Sequence, residues 1–200
     1  MALIYYLASH NPIKFQEYQQ LLAMWGVTLK PFAPDERIES VETENTYLDN
    51  ARIKGQTYST RYPKRLVLAD DSGLLLQADP IHLGIHTARE LAQFGDATQQ
   101  NQAILTLLKG KERTFTMTSV LTLMQNGTEL GRGIGTLTGE VAFTERGRAS
   151  AGFDRLLIPE GTKHTLAERP FLLRRPYLHR YRALVALYRE RPELLPSHLD

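Results

Sequence analysis

Residues 66–74 of the 200-residue sequence read LVLADDSGL. Its apolar first half is typical of a strand buried on both faces, because such strands do not alternate with polar residues. We predict that the strand stops at Asp70 and Asp71, where the chain turns and brings both carboxylates to one cleft. The alternative is an ordinary Asp-Asp-Ser-Gly turn that closes a strand.

Two adjacent carboxylates at the end of an apolar strand repel each other and lose hydration, so a positive group is expected beside them. A divalent cation such as Mg²⁺ fits, because it prefers hard oxygen ligands. Ser72 can cap the turn or donate to a phosphate, and Gly73 permits close approach of backbone or ligand. The stretch therefore predicts a site for a metal ion and a phosphate group.

The composition is that of an ordinary globular protein, with 42% hydrophobic and 23% charged residues and a net charge of +2. This balance gives no sign of a surface for nucleic acid or membrane. The absence of cysteine excludes disulfides, thiolate metal sites and cysteine nucleophiles. No apolar run reaches transmembrane length and no signal peptide is evident, so we predict a cytoplasmic protein.

The first strand, residues 3–8, is followed by a polar turn and a helix that starts at Ile13. Ser9, Asn11 and Lys14 lie at the mouth of that helix, where the backbone N–H groups and the helix dipole favour an anion. A lysine opposes the dipole there, which makes sense if it faces a phosphate. The alternative is a surface turn with an incidental lysine.

A second helix is predicted from Thr46 to about Tyr58, with Asp49 in its first turn and Lys54 further along. Asp49 is either an acid that complements the helix dipole or a third carboxylate for the metal.

Further along the chain we predict a helix from residue 97, a strand over 114–124 and a tight turn at Asn126-Gly127. The turn leads into a strand over 129–138, a separate strand over 139–143 and a short strand over 156–158. A final helix carries Leu184 and Leu187. We predict one domain over residues 1–190 and a tail over 191–200.

Five blocks in consistent order make the chain resemble the Ham1-like inosine triphosphate pyrophosphatases, and the resemblance runs from Leu3 to about Leu187. An intact ADDSGL is the most specific of them. The blocks are Ser9-His10-Asn11-Pro12-Ile13-Lys14, Thr46-Tyr47-Leu48-Asp49-Asn50-Ala51, Ala69-Asp70-Asp71-Ser72-Gly73-Leu74, Gly84-Ile85-His86-Thr87-Ala88-Arg89 and His179-Arg180.

The resemblance implies an α/β fold: a long twisted mixed sheet flanked by helices, two-lobed, with the active site in a central groove. It implies Mg²⁺-dependent hydrolysis of non-standard purine nucleoside triphosphates (ITP, dITP, XTP) to the monophosphate and pyrophosphate. It also implies a homodimer.

The same resemblance assigns roles to single residues. Asp71 would be the base that takes the proton of the attacking water, and Asp49, Asp70 and Asp71 would bind the metal. The implied substrate-binding residues are Ser9, His10, Asn11, Lys14, Lys54, Ser72, Phe153, Asp154, Arg174, His179 and Arg180. Among these, Phe153 would stack on the base, and His179 and Arg180 would donate to its 6-keto oxygen.

Two departures from the family pattern keep other functions open. The GFGYDP loop of the family is shortened here to Gly152-Phe153-Asp154-Arg155, and a family lysine is replaced by Arg174, with Arg175 close by. Arginine keeps the charge but replaces a point donor by a planar fork. One alternative is a pyrophosphatase with shifted base specificity, as in the related Maf-like enzymes, and another is a non-catalytic nucleotide-binding protein.

Overall fold

The structure, a computed structural model, describes residues 3–38 and 46–195. These residues form one six-stranded sheet with helices packed against it. The strands are β1 Leu3–Leu7, β2 Val27–Pro31, β3 Leu66–Leu76, β4 Thr114–Gln125, β5 Thr128–Val141 and β6 Leu157–Pro159. The helices are α1 Pro12–Ala23, α2 Tyr47–Arg61, α3 Thr87–Leu91, α4 Ala97–Leu107, α5 Phe171–Arg174 and α6 His179–Glu190.

The strand order in the sheet is β2-β1-β3-β4-β5-β6. β1 runs parallel to β2, with Leu3 opposite Val27, and parallel to β3, with Tyr5 opposite Leu66. β5 and β6 are antiparallel, with Gly139 opposite Pro159. The sheet is therefore mixed, and the predicted α/β class is confirmed.

β3 does not end where the sequence suggested. It continues through the carboxylates to Leu76, so the prediction of a turn that brings Asp70 and Asp71 together is wrong. Successive side chains of a strand point to opposite faces of the sheet. Asp70 accordingly contacts Lys14 of α1, whereas Asp71 contacts Asn50 of α2.

The hairpin between β4 and β5 is confirmed. Asn126 and Gly127 have φ angles of 49° and 74°, the pair of positive values that a tight type I′ connection needs. The predicted break between residues 138 and 139 is wrong, because β5 is one strand of 14 residues.

Polar caps fix where the helices begin. Asn11 accepts hydrogen bonds from the backbone N–H groups of Ile13 and Lys14, which starts α1 immediately after the β1 turn. Thr46 caps α2 in the same way through the N–H of Asp49. In α4, Asp96 and Gln99 form a capping box.

The chain divides into two compact units. The first contains residues up to Asp71, 119–135 and those from Arg180 onward, and the second contains 72–118 and 136–179. Tyr18, Leu21 and Leu68 are fully buried in the first; Leu74 and Phe115 are fully buried in the second.

Part of the expected tail contacts the first unit. Leu194 accepts a hydrogen bond of 2.8 Å from the Tyr5 hydroxyl, and Arg191 donates to the carbonyl of Leu130. In the described parts of the chain, no helix has the length and apolar character needed to cross a membrane.

Candidate active site

The turn before α1 holds three of the predicted substrate-binding residues. Asn11 uses its side-chain oxygen as the helix cap, and its own N–H donates to Ser9 Oγ at 3.3 Å. The ring of His10 lies 3.1 Å from the Tyr58 hydroxyl, which also bonds the backbone of Ile38. The turn is thus tied to α2, and the side chain of Asn11 occupies the backbone N–H groups of Ile13 and Lys14 at the start of α1.

Asp70 lies at the centre of a buried charged cluster in the first unit. Its side chain is 0% exposed, and its Oδ2 is 2.8 Å from Lys14 Nζ and 3.6 Å from Arg180 Nε. Its Oδ1 accepts a 2.5 Å hydrogen bond from Ser119. The ammonium of Lys54 donates to the backbone carbonyl of Asp70 at 3.2 Å. The carboxylate of Asp70 therefore pairs with cations from α1 and α6, and the backbone carbonyl of Asp70 accepts from a third cation, on α2.

Two further contacts complete this cluster. Arg180 Nη1 lies 2.7 Å from Glu17 Oε2, so the guanidinium lies between two carboxylates. The Tyr18 hydroxyl is 3.3 Å from Ser119 Oγ, which links α1 to β4. Arg180, predicted to donate to the base, lies beside Lys14 and Asp70.

The charges in the cluster stabilise one another strongly. Burial by itself raises the pKa of Asp70, but the Lys14 ammonium and the Arg180 guanidinium outweigh it and hold that pKa well below its usual range. Burial likewise lowers the pKa of Arg180, and the charges of Glu17 and Asp70 more than offset it, so that pKa is raised. Burial, and after it the charges of Arg180 and Lys54, lower the pKa of Lys14, and the charge of Asp70 opposes this shift only in part.

Asp71 has different surroundings on the other face of β3. The side-chain amide of Asn50, itself buried, donates to Asp71 Oδ2 at 3.1 Å. Burial and, next, the charge of Asp71 raise the pKa of Tyr47 to about 12, which places this ring close to the carboxylate. A carboxylate held in orientation by an amide suits a base or a metal ligand.

Asp49 lies in the first turn of α2, where its side chain is 47% exposed. It accepts a 2.6 Å hydrogen bond from Thr46 and lies 3.9 Å from Arg52 Nη1. Over residues 3–38 and 46–195, no three His, Cys, Asp or Glu side chains converge to hold a metal ion. The carboxylates of Asp49, Asp70 and Asp71 therefore do not form one preformed metal cage.

The second unit contains the shortened loop, residues 152–155, as a single 3-10 turn. Arg174 Nε lies 3.7 Å from Asp154 Oδ2, and its Nη1 donates to the carbonyl of Ala149 at 3.1 Å. The guanidinium of Arg174 is buried in these contacts. Two predicted substrate-binding residues are thus brought together, with Arg174 bracing the loop.

Asn101 braces the same loop from α4. Its amide donates to Gly152 O at 3.0 Å and to Glu145 Oε1 at 2.5 Å, and Glu145 also pairs with Arg155 at 3.2 Å. Phe153 is partly exposed on this turn. The loop is therefore held at Gly152 by a buried amide and at Arg155 by a partly exposed ion pair.

The remaining predicted residues also belong to the second unit. Ser72 is the first residue of β3 in that unit and is partly exposed, and His179 is buried at the first position of α6.

Three buried polar residues of these clusters were not selected from the sequence: Tyr18, Asn101 and Ser119. Tyr18 and Asn101 lie on helices, and nothing in the sequence distinguishes them from the other polar residues of α1 and α4. Ser119 did carry a signal, because the alternation of hydroxyl and apolar residues over 114–118 stops there and residues 119–124 are all buried. A hydroxyl inside such a run needs a partner, and that partner is Asp70.

The chain is similar to known proteins over nearly its whole length. The family model described as the Ham1 family matches residues 5–190. A dihydroneopterin triphosphate diphosphatase of Limosilactobacillus reuteri is 37% identical over 181 residues, covering 89% of this chain and 92% of its own length. A dITP/XTP pyrophosphatase of Acholeplasma laidlawii is 30% identical over 190 residues, covering 94% and 93%.

A solved structure of a HAM1 protein from Coxiella burnetii has the same fold. It superposes with a TM-score of 0.77 at 27% identity, covering 96% of this chain and 99% of the other. The match to the family model runs through both units and includes every residue placed above in the two clusters. The chain belongs to the Ham1 family.

Proposed function

We propose that this protein is a pyrophosphatase that hydrolyses the bond between the α- and β-phosphates of non-standard purine nucleoside triphosphates (ITP, dITP and XTP), releasing the monophosphate and pyrophosphate. The observation that carries the proposal is the cluster of Lys14, Lys54 and Arg180 around Asp70, next to the start of α1. The dITP/XTP pyrophosphatases among its relatives support the choice of substrate.

The cationic groups match the chemistry of a triphosphate. Several negative charges on the substrate need positive partners, and charge-assisted hydrogen bonds from ammonium and guanidinium groups are the strong ones. Lys14 keeps part of its surface accessible, with 15% of its side chain exposed, so its ammonium can donate to a phosphate while it remains paired with Asp70.

A divalent cation fits one of the predicted carboxylates. Mg²⁺ in nucleotide enzymes is bound by one or two carboxylates together with substrate phosphates and water, so a cage of three protein carboxylates is not needed. Asp71, oriented by Asn50, is the carboxylate whose contacts fit this role best, and Asp49 is a second candidate. When bound, the ion would neutralise phosphate charge and lower the pKa of a coordinated water.

Asp71 is also the proposed base. Its carboxylate accepts the proton of the attacking water, and the amide of Asn50 keeps it in one orientation while it does so. The charge that develops on the phosphate oxygens is then stabilised by Lys14 and Arg180, which are already fixed before substrate arrives. Little reorganisation is required at the moment of reaction.

A second substrate, dihydroneopterin triphosphate, is favoured by a specific observation. The Limosilactobacillus reuteri relative that carries this activity in its name is 37% identical, above the 29–32% of the dITP/XTP pyrophosphatases reported alongside it. The two substrates share a triphosphate and differ at the ring. The shortened turn with Phe153 and Asp154, proposed to contact the ring, is where this chain departs from the family pattern.

The deciding experiment is pyrophosphate release with Mg²⁺ from ITP, dITP, XTP, GTP, ATP, dTTP and dihydroneopterin triphosphate. We expect the highest kcat/KM for ITP and XTP. Asp71→Asn should lower kcat by about 100-fold or more, the usual contribution of a general base. Asp79→Asn, the same chemical change at a partly exposed turn of the second unit, is the matched control.

Each other outcome has a defined meaning. A higher kcat/KM for dihydroneopterin triphosphate would keep the reaction and change the substrate. Binding of nucleotide with no turnover of any compound would refute the enzyme and leave a nucleotide-binding protein.

Two further properties belong to the proposal. The cytoplasm, which holds the nucleoside triphosphate pool, is the proposed place of action. A homodimer, the assembly that the family resemblance implies, is tested by light scattering of the eluted protein; a monomeric mass would refute it.

A further inference from the structure

We propose that Asp70 is a positioning residue that holds Lys14 and Arg180 for the triphosphate, and that it is not a ligand of the metal. The inference rests on the proposed function and assigns different roles to the adjacent residues Asp70 and Asp71. The sequence gives them the same chemistry, but the structure gives them different partners.

Both oxygens of the Asp70 carboxylate already have partners. Asp70 Oδ1 accepts from Ser119 at 2.5 Å, and Oδ2 faces Lys14 at 2.8 Å and Arg180 at 3.6 Å. The side chain is completely buried. A metal ligand at this position would have to exchange cationic partners for the ion and bring that ion next to an ammonium and a guanidinium, which repel it.

The side chains of Asp70 and Asp71 point in opposite directions. β3 is continuous through both residues, so Asp70 and Asp71 lie on opposite faces of the sheet. Asp70 faces α1 and α6, and Asp71 faces α2. A metal held by Asp71 therefore does not also have Asp70 Oδ1 or Oδ2 on its side of the strand.

Asp70 also holds Lys14 and Arg180 close to each other. Lys14 and Arg180 come from helices at opposite ends of the chain, and both have flexible side chains that would otherwise spread apart by repulsion. Asp70 pairs with both, while Glu17 holds the other side of Arg180. The pair is thereby kept in one arrangement before the substrate binds, which is the purpose of a positioning residue.

The test is the binding of pyrophosphate without metal, measured by calorimetry in a chelating buffer. Asp70→Asn should weaken it by about tenfold or more, because charge-assisted hydrogen bonds to the anion are no longer held in place. Asp71→Asn should leave this affinity unchanged or improve it, because it removes a negative charge. The Mg²⁺ concentration for half-maximal activity should stay at the wild-type value in Asp70→Asn and rise in Asp71→Asn.

Ser119→Ala provides a milder variant in case Asp70→Asn does not fold. It removes only the donor to Oδ1 and should weaken pyrophosphate binding by a few-fold while leaving the Mg²⁺ requirement unchanged. Thr122→Val is its matched control, because Thr122 is a buried hydroxyl of the same strand that donates to Ala51 instead.

The outcomes separate this inference from the proposed function. Wild-type-like pyrophosphate binding in Asp70→Asn or Ser119→Ala, or a raised Mg²⁺ requirement in either, would overturn the inference and leave the pyrophosphatase intact. A wild-type protein that binds no pyrophosphate and releases none would overturn both.

Discussion

Gly133 of β5 provides a sharp test of how α6, and with it Arg180, is placed. A Cβ at Gly133 would lie 1.9 Å from the carbonyl oxygen of Ala183 and 2.8 Å from the nitrogen of Leu187. Both are backbone atoms of α6, so no side-chain rotation can relieve the contact. Since carbon and oxygen normally approach to about 3.3 Å, Gly133→Ala requires the strand and the helix to separate locally by about 1.4 Å.

The energetic cost follows from this displacement. Overpacking of well-packed sites costs about 1–3 kcal/mol, and a backbone-to-backbone clash belongs at the upper end. Replacing a strand glycine by alanine returns about 0.5–1 kcal/mol of backbone entropy, which is the smaller term. We therefore expect a net loss of about 2–2.5 kcal/mol in the free energy of unfolding and a Tm lower by about 4–10 °C for a chain of this size.

Gly131→Ala is the matched control on the same strand. Its Cβ would meet the ends of side chains, Leu187 Cδ1 at 2.7 Å and Arg191 Cγ at 3.1 Å, and these can rotate away. Its Tm should fall by less than half as much. Calorimetry gives both values under one condition.

A functional readout accompanies the thermal one. A shift of α6 by about 1 Å carries Arg180 away from Glu17 and Asp70, and misplacement on that scale costs up to about 100-fold in rate. Pyrophosphate release is measured well below both transitions, so that the variant is folded. A Tm within about 2 °C of wild type, or a larger loss in Gly131→Ala, would refute this account of the close approach.

Two other predictions concern buried polar groups. Burial raises the pKa of Tyr5 to about 12, so the folded state keeps a proton that the unfolded chain loses above about pH 10. The free energy of unfolding is therefore unaffected by this group below about pH 10 and decreases by about 2–3 kcal/mol as the pH rises to about 12. Tyr5→Phe should reduce this alkaline loss in urea unfolding, and an unchanged slope would contradict it. Asn101→Ala should cost about 1–3 kcal/mol by removing the donor to Gly152 O and one of the two partners of Glu145, and should raise KM for ITP. The exposed neighbour Gln102→Ala is its control, and equal KM values in the two variants would count against a role for the brace.

The local elements of this protein could be predicted from its sequence alone. Hydroxyl and apolar residues with a period of two predicted β4, the change to a helical pattern near Ile13 and Thr46 predicted α1 and α2, and Asn126-Gly127 specified the hairpin. These signals are carried by residues a few positions apart, so they survive without knowledge of the rest of the chain. The ordered blocks likewise indicated the family, and that prediction is confirmed.

The different surroundings of the two aspartates depend on long-range contacts. Whether β3 turned or continued at residue 70 could not be obtained from its apolar pattern, because adjacent carboxylates are compatible with either. The partners of Asp70 come from α1, β4 and α6, and the Arg180–Glu17 pair joins residues 163 positions apart. Such contacts depend on the strand order and on which face each helix covers, and no local period encodes either.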